Sequence, residues 1–331
     1  MGNDPQRVHQ LVLFKDKEHY LEKEKKDKDY EFETDEQEDK IQIKYELRSI
    51  GRYYRYSLMV INSSKTPINE VKIKIMLPIF IEVFRFSPPT VDTEIIEKEE
   101  IEVKVKFDQV ESESNKQINL YLIPLIVDKL GEIRSILTFI NNKDLVRVIN
   151  SDPIKIYIPD LVIENLIIPS AKIPEIYQDK RFKKAIISMG VPTKSARELD
   201  NYLSRMEQKL KQLKFQFITR DDKNNVIWYF GRCWNKAKIE TTAQHEVLLI
   251  GQIISGKIEF LILCENPDYL VSLSTLIFRE FSFIIMRDNP PASQKLIYNL
   301  ECKSCGVVLP YFPKKGKKIS CNKCQYEQLV W

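Results

Sequence analysis

The chain has 331 residues, 43 % of them hydrophobic, and its 51 Lys and Arg nearly balance its 47 Asp and Glu, for a net charge of +4. Such a length and composition allow a real core and two or three domains. So even a charge balance does not by itself imply a dedicated polyanion binder and leaves any basic partner surface local. No apolar run free of charge reaches the roughly eighteen residues of a membrane span, and MGNDPQRVHQ lacks the apolar core of a secretory signal, so a soluble cytoplasmic protein is expected. Gly2 is followed by Gln6 where a myristoylation site carries Ser or Thr, so the terminus reads as unmodified. Four of the six cysteines sit in two CxxC pairs, leaving Cys233 and Cys264, and metal binding in a reducing compartment explains that better than disulfides.

From Lys15 to Lys40 charges of both signs dominate and little is available to bury, so residues 1–39 read as a charged, disordered tail. Strict alternation then begins. Ile41, Ile43, Tyr45 and Leu47 share one face, and Gln42, Lys44, Glu46 and Arg48 the other, as on a half-buried strand. The pattern returns at Tyr54 to Val60, Val71 to Leu77, Ile101 to Phe107 and Ile118 to Leu122. Breakers separate the runs at Asn62-Ser-Ser-Lys-Thr-Pro67, Ser87-Pro-Pro-Thr90, Glu111-Ser-Glu-Ser-Asn115 and Asn141-Asn-Lys143. Roughly seven or eight short strands with no helical pattern between them predict an antiparallel, immunoglobulin-like β-sandwich over residues 40–158, without the Cys and Trp pattern of antibody domains.

The period changes after residue 159. Ser195 and Glu198 are spaced as a capping box, and Leu199, Leu203, Met206, Leu210 and Leu213 fall on one helical stripe. Strands are expected at Phe215–Thr219, Val226–Trp234, His245–Ile254 and Lys257–Cys264. Pro267 then opens a second helix running to about Arg287. Helix, four-stranded antiparallel sheet and helix make a small α+β platform over residues 159–290.

The strands Tyr54-Arg-Tyr-Ser-Leu-Met-Val-Ile-Asn62 and Asn69-Glu-Val-Lys-Ile73, followed by His245-Glu-Val-Leu-Leu-Ile-Gly-Gln252, Ile258-Glu-Phe-Leu-Ile262 and the closing helix, resemble the appendage, or ear, of adaptin and coatomer large subunits, the coatomer gamma appendage in particular. The resemblance covers roughly residues 40 to 290. It implies a sandwich plus platform, no catalytic motif, and a platform that binds short peptide motifs through an aromatic and basic patch. It also implies recruitment of accessory factors in vesicle trafficking, at the periphery of a membrane or coat.

Residues 296–331 carry Cys302-Lys-Ser-Cys305, fifteen residues, then Cys321-Asn-Lys-Cys324. Two residues between cysteines let both thiolates of a knuckle reach one metal, and two knuckles complete a tetrahedral shell, so one structural Zn²⁺ in a zinc ribbon is expected, with no open position for a catalytic water. A redox dithiol and an iron-sulfur centre are the competing readings. Gly306 suits a left-handed turn. Tyr311, Phe312, Lys314, Lys315, Lys317 and Lys318 between the knuckles mix basic and aromatic residues as anion-gripping loops do. Nucleic acid is therefore an alternative partner, beside an acidic protein, an anionic membrane, or plain solvation of a hairpin tip.

On the strand Val226-Ile-Trp-Tyr-Phe-Gly-Arg-Cys-Trp234, Trp228, Phe230, Arg232 and Trp234 share a face. If that face looks outward, an Arg among aromatics makes a pocket for a peptide with an aromatic anchor and an acidic neighbour, which is where the resemblance also places binding; the competing reading is core. Of three histidines, His9 and His19 lie in the tail and His245 opens a strand. No hydrolase, P-loop or dinucleotide fingerprint appears among nine glycines. The expected function is therefore non-enzymatic docking of partner proteins through short peptide motifs.

Overall fold

The computed structural model describes residues 11–13, 39–88, 92–97, 100–190, 196–238, 243–254, 257–288, 300–309 and 318–329. The chain forms two compact units, one of residues 1–48, 55–121 and 130–156, the other of residues 49–54, 122–129 and 157–331. Most of the expected tail, the capping residue Ser195, and Lys314, Lys315 and Lys317 lie outside the described residues.

The first unit is built on β1 (Leu11–Leu13), β2 (Ile41–Ile50), β3 (Tyr53–Asn62), β4 (Ile68–Leu77), β5 (Ile81–Ser87), β6 (Asp92–Glu97), β7 (Ile101–Val110), β8 (Ser114–Pro124), β9 (Lys129–Ile140), β10 (Val146–Asn150) and β11 (Ile154–Ile158). A four-stranded sheet runs β2-β3-β8-β5. A seven-stranded sheet runs β1-β10-β9-β4-β7-β6, with β11 also on β9. Alternate residues of each sheet are buried: Tyr56, Leu58 and Val60 of β3, Leu120 and Leu122 of β8, Ile73 and Ile75 of β4, Val103 and Val105 of β7, Leu137 and Phe139 of β9. Each such side chain stabilises the fold by about 1.5–3 kcal/mol relative to exposure. The Tyr56 and Ser135 hydroxyls share a 2.7 Å hydrogen bond from β3 of one sheet to β9 of the other. These antiparallel sheets with one buried face each are consistent with a β-sandwich.

Over residues 40–158 the described residues form ten strands, β2 to β11, where seven or eight are expected. The additional ones hide because polar residues occupy inward positions, Ser135 on β9 and Arg147 on β10, both buried. Within the expected tail, the apolar run Leu11–Leu13 pairs antiparallel with Val146–Val148.

The second unit contains β12 (Leu161–Asn165), α1 (Ile173–Gln178), β13 (Lys183–Gly190), α2 (Ala196–Gln212), β14 (Gln216–Asp221), β15 (Val226–Asn235), β16 (His245–Ile254), β17 (Lys257–Cys264), α3 (Pro267–Asp288), β18 (Lys318–Ser320) and β19 (Glu327–Leu329). Its main sheet runs β12-β15-β16-β17-β13, with β14 also on β15. Among the described residues the sheet thus has six strands rather than the expected four. β13 is buried on both faces from Ile187 to Gly190, so it shows no alternation to read. One face of the sheet packs Ile227, Tyr229, Leu249 and Phe260 against Leu203, Met206 and Leu210 of α2 and Leu270, Leu273, Ile277 and Phe281 of α3. The other packs Phe230, Leu248 and Leu263 beneath Ile176 of α1 and Phe182. Asn266 caps α3 by accepting hydrogen bonds from Asp268 N (2.9 Å) and Tyr269 N (3.2 Å). No helix among the described residues is long and apolar enough to cross a membrane.

The turn after β3 depends on one side chain. Buried Asn62 donates through Nδ2 to the carbonyls of Thr66 (2.9 Å), Val110 (3.1 Å) and Glu111 (3.0 Å), and accepts through Oδ1 from Ser64 N (3.0 Å) and Ser64 Oγ (2.6 Å). Asn62→Ala leaves these groups without their partner, and a loss of about 2–4 kcal/mol is expected in denaturant unfolding of the full chain.

Candidate metal centre and sheet-edge groove

The two cysteine knuckles share one local design. Cys302 N donates to Val307 O (2.8 Å) and Gly306 N to Cys302 O (2.8 Å); Cys321 N donates to Tyr326 O (3.0 Å) and Gln325 N to Cys321 O (2.9 Å). Each loop needs a left-handed residue just after its second cysteine. These are Gly306 (φ 73°) and Gln325 (φ 60°). Gly306 is legible from sequence; Gln325 is not, since a glutamine holds that conformation at a cost of about 1 kcal/mol.

The four sulfurs lie within 4.8 Å of one another. Cys302 Sγ is 3.5 Å from Cys324 Sγ and Cys305 Sγ is 3.5 Å from Cys321 Sγ, so each close pair joins one knuckle to the other. Four sulfurs about 2.3 Å from one tetrahedral zinc would be about 3.8 Å apart, so the cluster is compatible with one metal ion. Electrostatics favour thiolates in the second knuckle. The Tyr326 N–H brings the Cys324 thiol down to about 6. Burial raises Cys321, but the N–H groups of Cys324 and Lys323 outweigh it and leave the thiol below its ordinary value. Burial pushes Cys305 up to about 12 and also raises Cys302.

Two side chains beside the knuckles and one distant arginine brace this loop pair. Gln328 Oε1 accepts from Lys303 N (2.7 Å), and Gln328 Nε2 donates to Glu301 O (3.0 Å), so one amide holds the chain on both sides of Cys302. Glu301 Oε1 accepts from Arg52 Nη1 at 3.3 Å, with side chains only 3 % and 5 % exposed. The Arg52 guanidinium also lies 5.4 Å from the ring centres of Tyr53 and Phe278. Burial pushes the Glu301 carboxyl up to about 7, although Arg52 lowers it. Leu300 N donates to Ser188 O (3.2 Å), continuing the edge of β13.

The second candidate lies at the opposite edge of the sheet. Two half-strands share one flank of β15: β12 pairs with residues 231–235 and β14 with residues 226–230. They meet at Gly231, where a Cβ would stand 2.9 Å from Glu164 O, so only glycine lets β12 end this close. A groove of about 740 Å³ opens there, lined by Val162, Ile163, Glu164, Asn165, Lys211, Lys214, Phe215, Gln216, Phe217 and Trp234. Lys214 stands in a left-handed conformation (φ 64°). Phe215 N bonds to Leu210 O and Lys214 N to Lys211 O, which is the Schellman arrangement whose left-handed position usually carries glycine. Lys209 is held by Glu280 at 2.5 Å, whereas Lys211 and Lys214 show no carboxylate partner among the described residues.

Of the four residues expected to form a peptide pocket, the structure brings only Trp234 to this groove. Phe230 is fully buried beneath α1 and Phe182, a core residue rather than a surface one. Trp228 is half-buried and six residues from Trp234, about 20 Å along a strand. Arg232 stands opposite Glu164 on β12 and Glu246 on β16 and donates to Gln244 Oε1 (3.3 Å), so nearby acceptors already face it. Alternation predicts the shared face of these residues; the segment covering it comes from residues 166–182, which carry no alternating pattern. His245 Nδ1 lies 3.8 Å from Glu265 Oε2, a neighbour that its own strand does not indicate. Lys318 is exposed and pairs with Glu327 at 3.7 Å.

No family model and no curated protein matches the sequence. Among solved structures, the chain is similar to a GH20 exo-β-N-acetylglucosaminidase from Vibrio harveyi, in complex with N-acetylglucosamine, at 9 % identity over 68 % of this chain and 39 % of that chain, TM-score 0.24. It is similar to BcpA, the major pilin subunit of Bacillus cereus, at 10 % identity over 65 % of this chain and 59 % of that chain, TM-score 0.29. It is also similar to Spo0M, a sporulation control protein from Bacillus subtilis, at 8 % identity over 63 % of this chain and 74 % of that chain, TM-score 0.19. The chain spans about two fifths of the glucosaminidase. Likenesses this weak carry no argument.

The backbone strain at Lys214 is open to measurement. Lys214→Gly relieves the left-handed conformation and is expected to raise unfolding stability by about 1 kcal/mol in denaturant melts, because glycine pays no Cβ penalty there.

Proposed function

We propose that this chain is a non-enzymatic interaction module, which docks short peptide segments of partner proteins in the groove at the divided sheet edge and carries a ribbon held by one structural zinc ion. The groove carries the reading. Trp234 and Phe217 offer apolar surface for an aromatic anchor, Lys211 and Lys214 offer cationic partners for acidic neighbours, and strand edges on both sides offer main-chain groups. The binding chemistry therefore shifts from the Arg232 face toward α2, with Trp234 retained.

Two further observations support this reading. Lys214 occupies a position that glycine would fill at lower energy, and such local strain concentrates at functional sites. The second is the resemblance of residues 40–290 to the adaptin and coatomer gamma appendages, carried by residues 54–62, 69–73, 245–252 and 258–262, under which peptide docking would serve vesicle trafficking. Cys302, Cys305, Cys321 and Cys324 fill all four positions of a tetrahedral shell, so the zinc contributes folding energy rather than chemistry.

Fluorescence anisotropy with a panel of short peptides, each combining one aromatic with several acidic residues, tests the groove. Trp234→Ala and Lys214→Gly are expected to weaken the best binder roughly tenfold, and Trp228→Ala to leave it unchanged. Equal binding by Trp234→Ala and the parent chain would sink the groove reading. Metal analysis of the purified chain is expected to give one zinc per chain, with loss of the metal and a lowered thermal midpoint on Cys302→Ser or Cys324→Ser.

A further inference from the structure

The ribbon does not stand on its cysteines alone. Gln328, on β19 just beyond the second knuckle, holds the backbone on both sides of Cys302 in the first. Glu301, adjacent to Cys302, reaches through its carboxylate to Arg52, a residue 249 positions earlier in the chain. Arg52 lies in the turn between β2 and β3 and packs against Tyr53 and Phe278. Gln328, Glu301 and Arg52 are each at most 6 % exposed, so this path from the knuckles to α3 is closed to water.

We infer that metal binding by the four cysteines is thermodynamically coupled to the six-stranded domain through Gln328, Glu301 and Arg52, and that Arg52 and Gln328 are positioning residues for the metal centre. This rests on the cysteines being a metal site. Closing the shell requires Cys302 and Cys305 to meet Cys321 and Cys324. The two Gln328 hydrogen bonds hold the knuckles in that relation before any metal arrives. The same closed arrangement buries Glu301, and a buried carboxylate is tolerated there because a guanidinium meets it. Without Arg52, the buried Glu301 side chain loses the guanidinium that anchors it, and the residue bonded to Cys302 is no longer tied to the turn between β2 and β3. Linkage makes the effect reciprocal: whatever factor Arg52 contributes to metal affinity, the metal contributes to the packing around Arg52.

The experiment is a cobalt(II) titration of the full chain, followed by its thiolate-to-metal absorption and calibrated by competition with a chelator. Arg52→Met and Gln328→Ala are each expected to weaken cobalt binding about tenfold or more, the range found when groups supporting metal ligands are removed. The double variant Arg52→Met/Glu301→Gln is expected to recover part of that loss, because an amide costs less than a carboxyl group to bury without the guanidinium. Arg220→Met, which breaks the surface pair with Glu207 (3.0 Å) in the same domain, is expected to leave affinity within twofold. Affinity within twofold of the parent in both Arg52→Met and Gln328→Ala would overturn the coupling while leaving the metal site intact, whereas failure of the parent chain to bind cobalt would remove the site itself and the inference with it. Hydrogen exchange of the parent chain reads the coupling without any substitution: chelation is expected to speed exchange at Tyr53 and along β13, and unchanged protection there would overturn the proposal.

Discussion

Strand β15 sets the terms for the second unit. It is hydrogen-bonded along both flanks, to β16 on one side and to β12 and β14 in succession on the other, and its central residues Tyr229 and Phe230 are both fully buried. A strand paired on both flanks and covered on both faces has little surface left at its middle, so a groove can open only where its cover is incomplete. That place is the junction at Gly231, where the two half-strands must stop short of each other. The groove follows from how the flank is divided, and Trp234 and Lys214 meet in it because the end of β15 and the end of α2 both reach that junction.

The ribbon follows a different logic. Among the described residues its buried cluster is small: Leu300, Leu309 and Ile319 with Cys302 and Cys321. Two repeated knuckles with left-handed residues at matching positions bring the four sulfurs within 4.8 Å of one another, an arrangement in which a bound metal ion would add stabilisation. The buried pair of Arg52 and Glu301 adds specificity of placement. Its Coulomb attraction is offset in large part by desolvation, so its effect lies in penalising arrangements that separate the two charges. The groove and the ribbon stand at opposite edges of one sheet, built by unrelated means.

Much of this molecule is legible in residue order. Strands β14 to β17 of the second unit's sheet, the helix opened by Pro267, the stripe of Leu203, Met206 and Leu210, and the four cysteine positions are local patterns, and local patterns survive in one dimension. What escaped detection shares a single cause. Ser135 and Arg147 face inward as polar residues, β13 is buried on both faces, and Gln325 and Lys214 adopt a conformation usually reserved for glycine. In each case tertiary contacts stabilise a residue against its own local preference.

By itself, the sequence determined which residues alternate, which helix stripes are apolar, and that Cys302, Cys305, Cys321 and Cys324 are spaced to converge. It placed Trp228, Phe230, Arg232 and Trp234 on one face, because a strand's period of two follows from its backbone alone. Only the tertiary structure decided that this face is covered over Phe230 by the segment 166–182 and open beside Trp234, and that Arg52 meets Glu301. Those outcomes depend on segments separated by tens to hundreds of residues being brought together, and no local periodicity encodes which distant segment will cover, divide or neutralise a given surface.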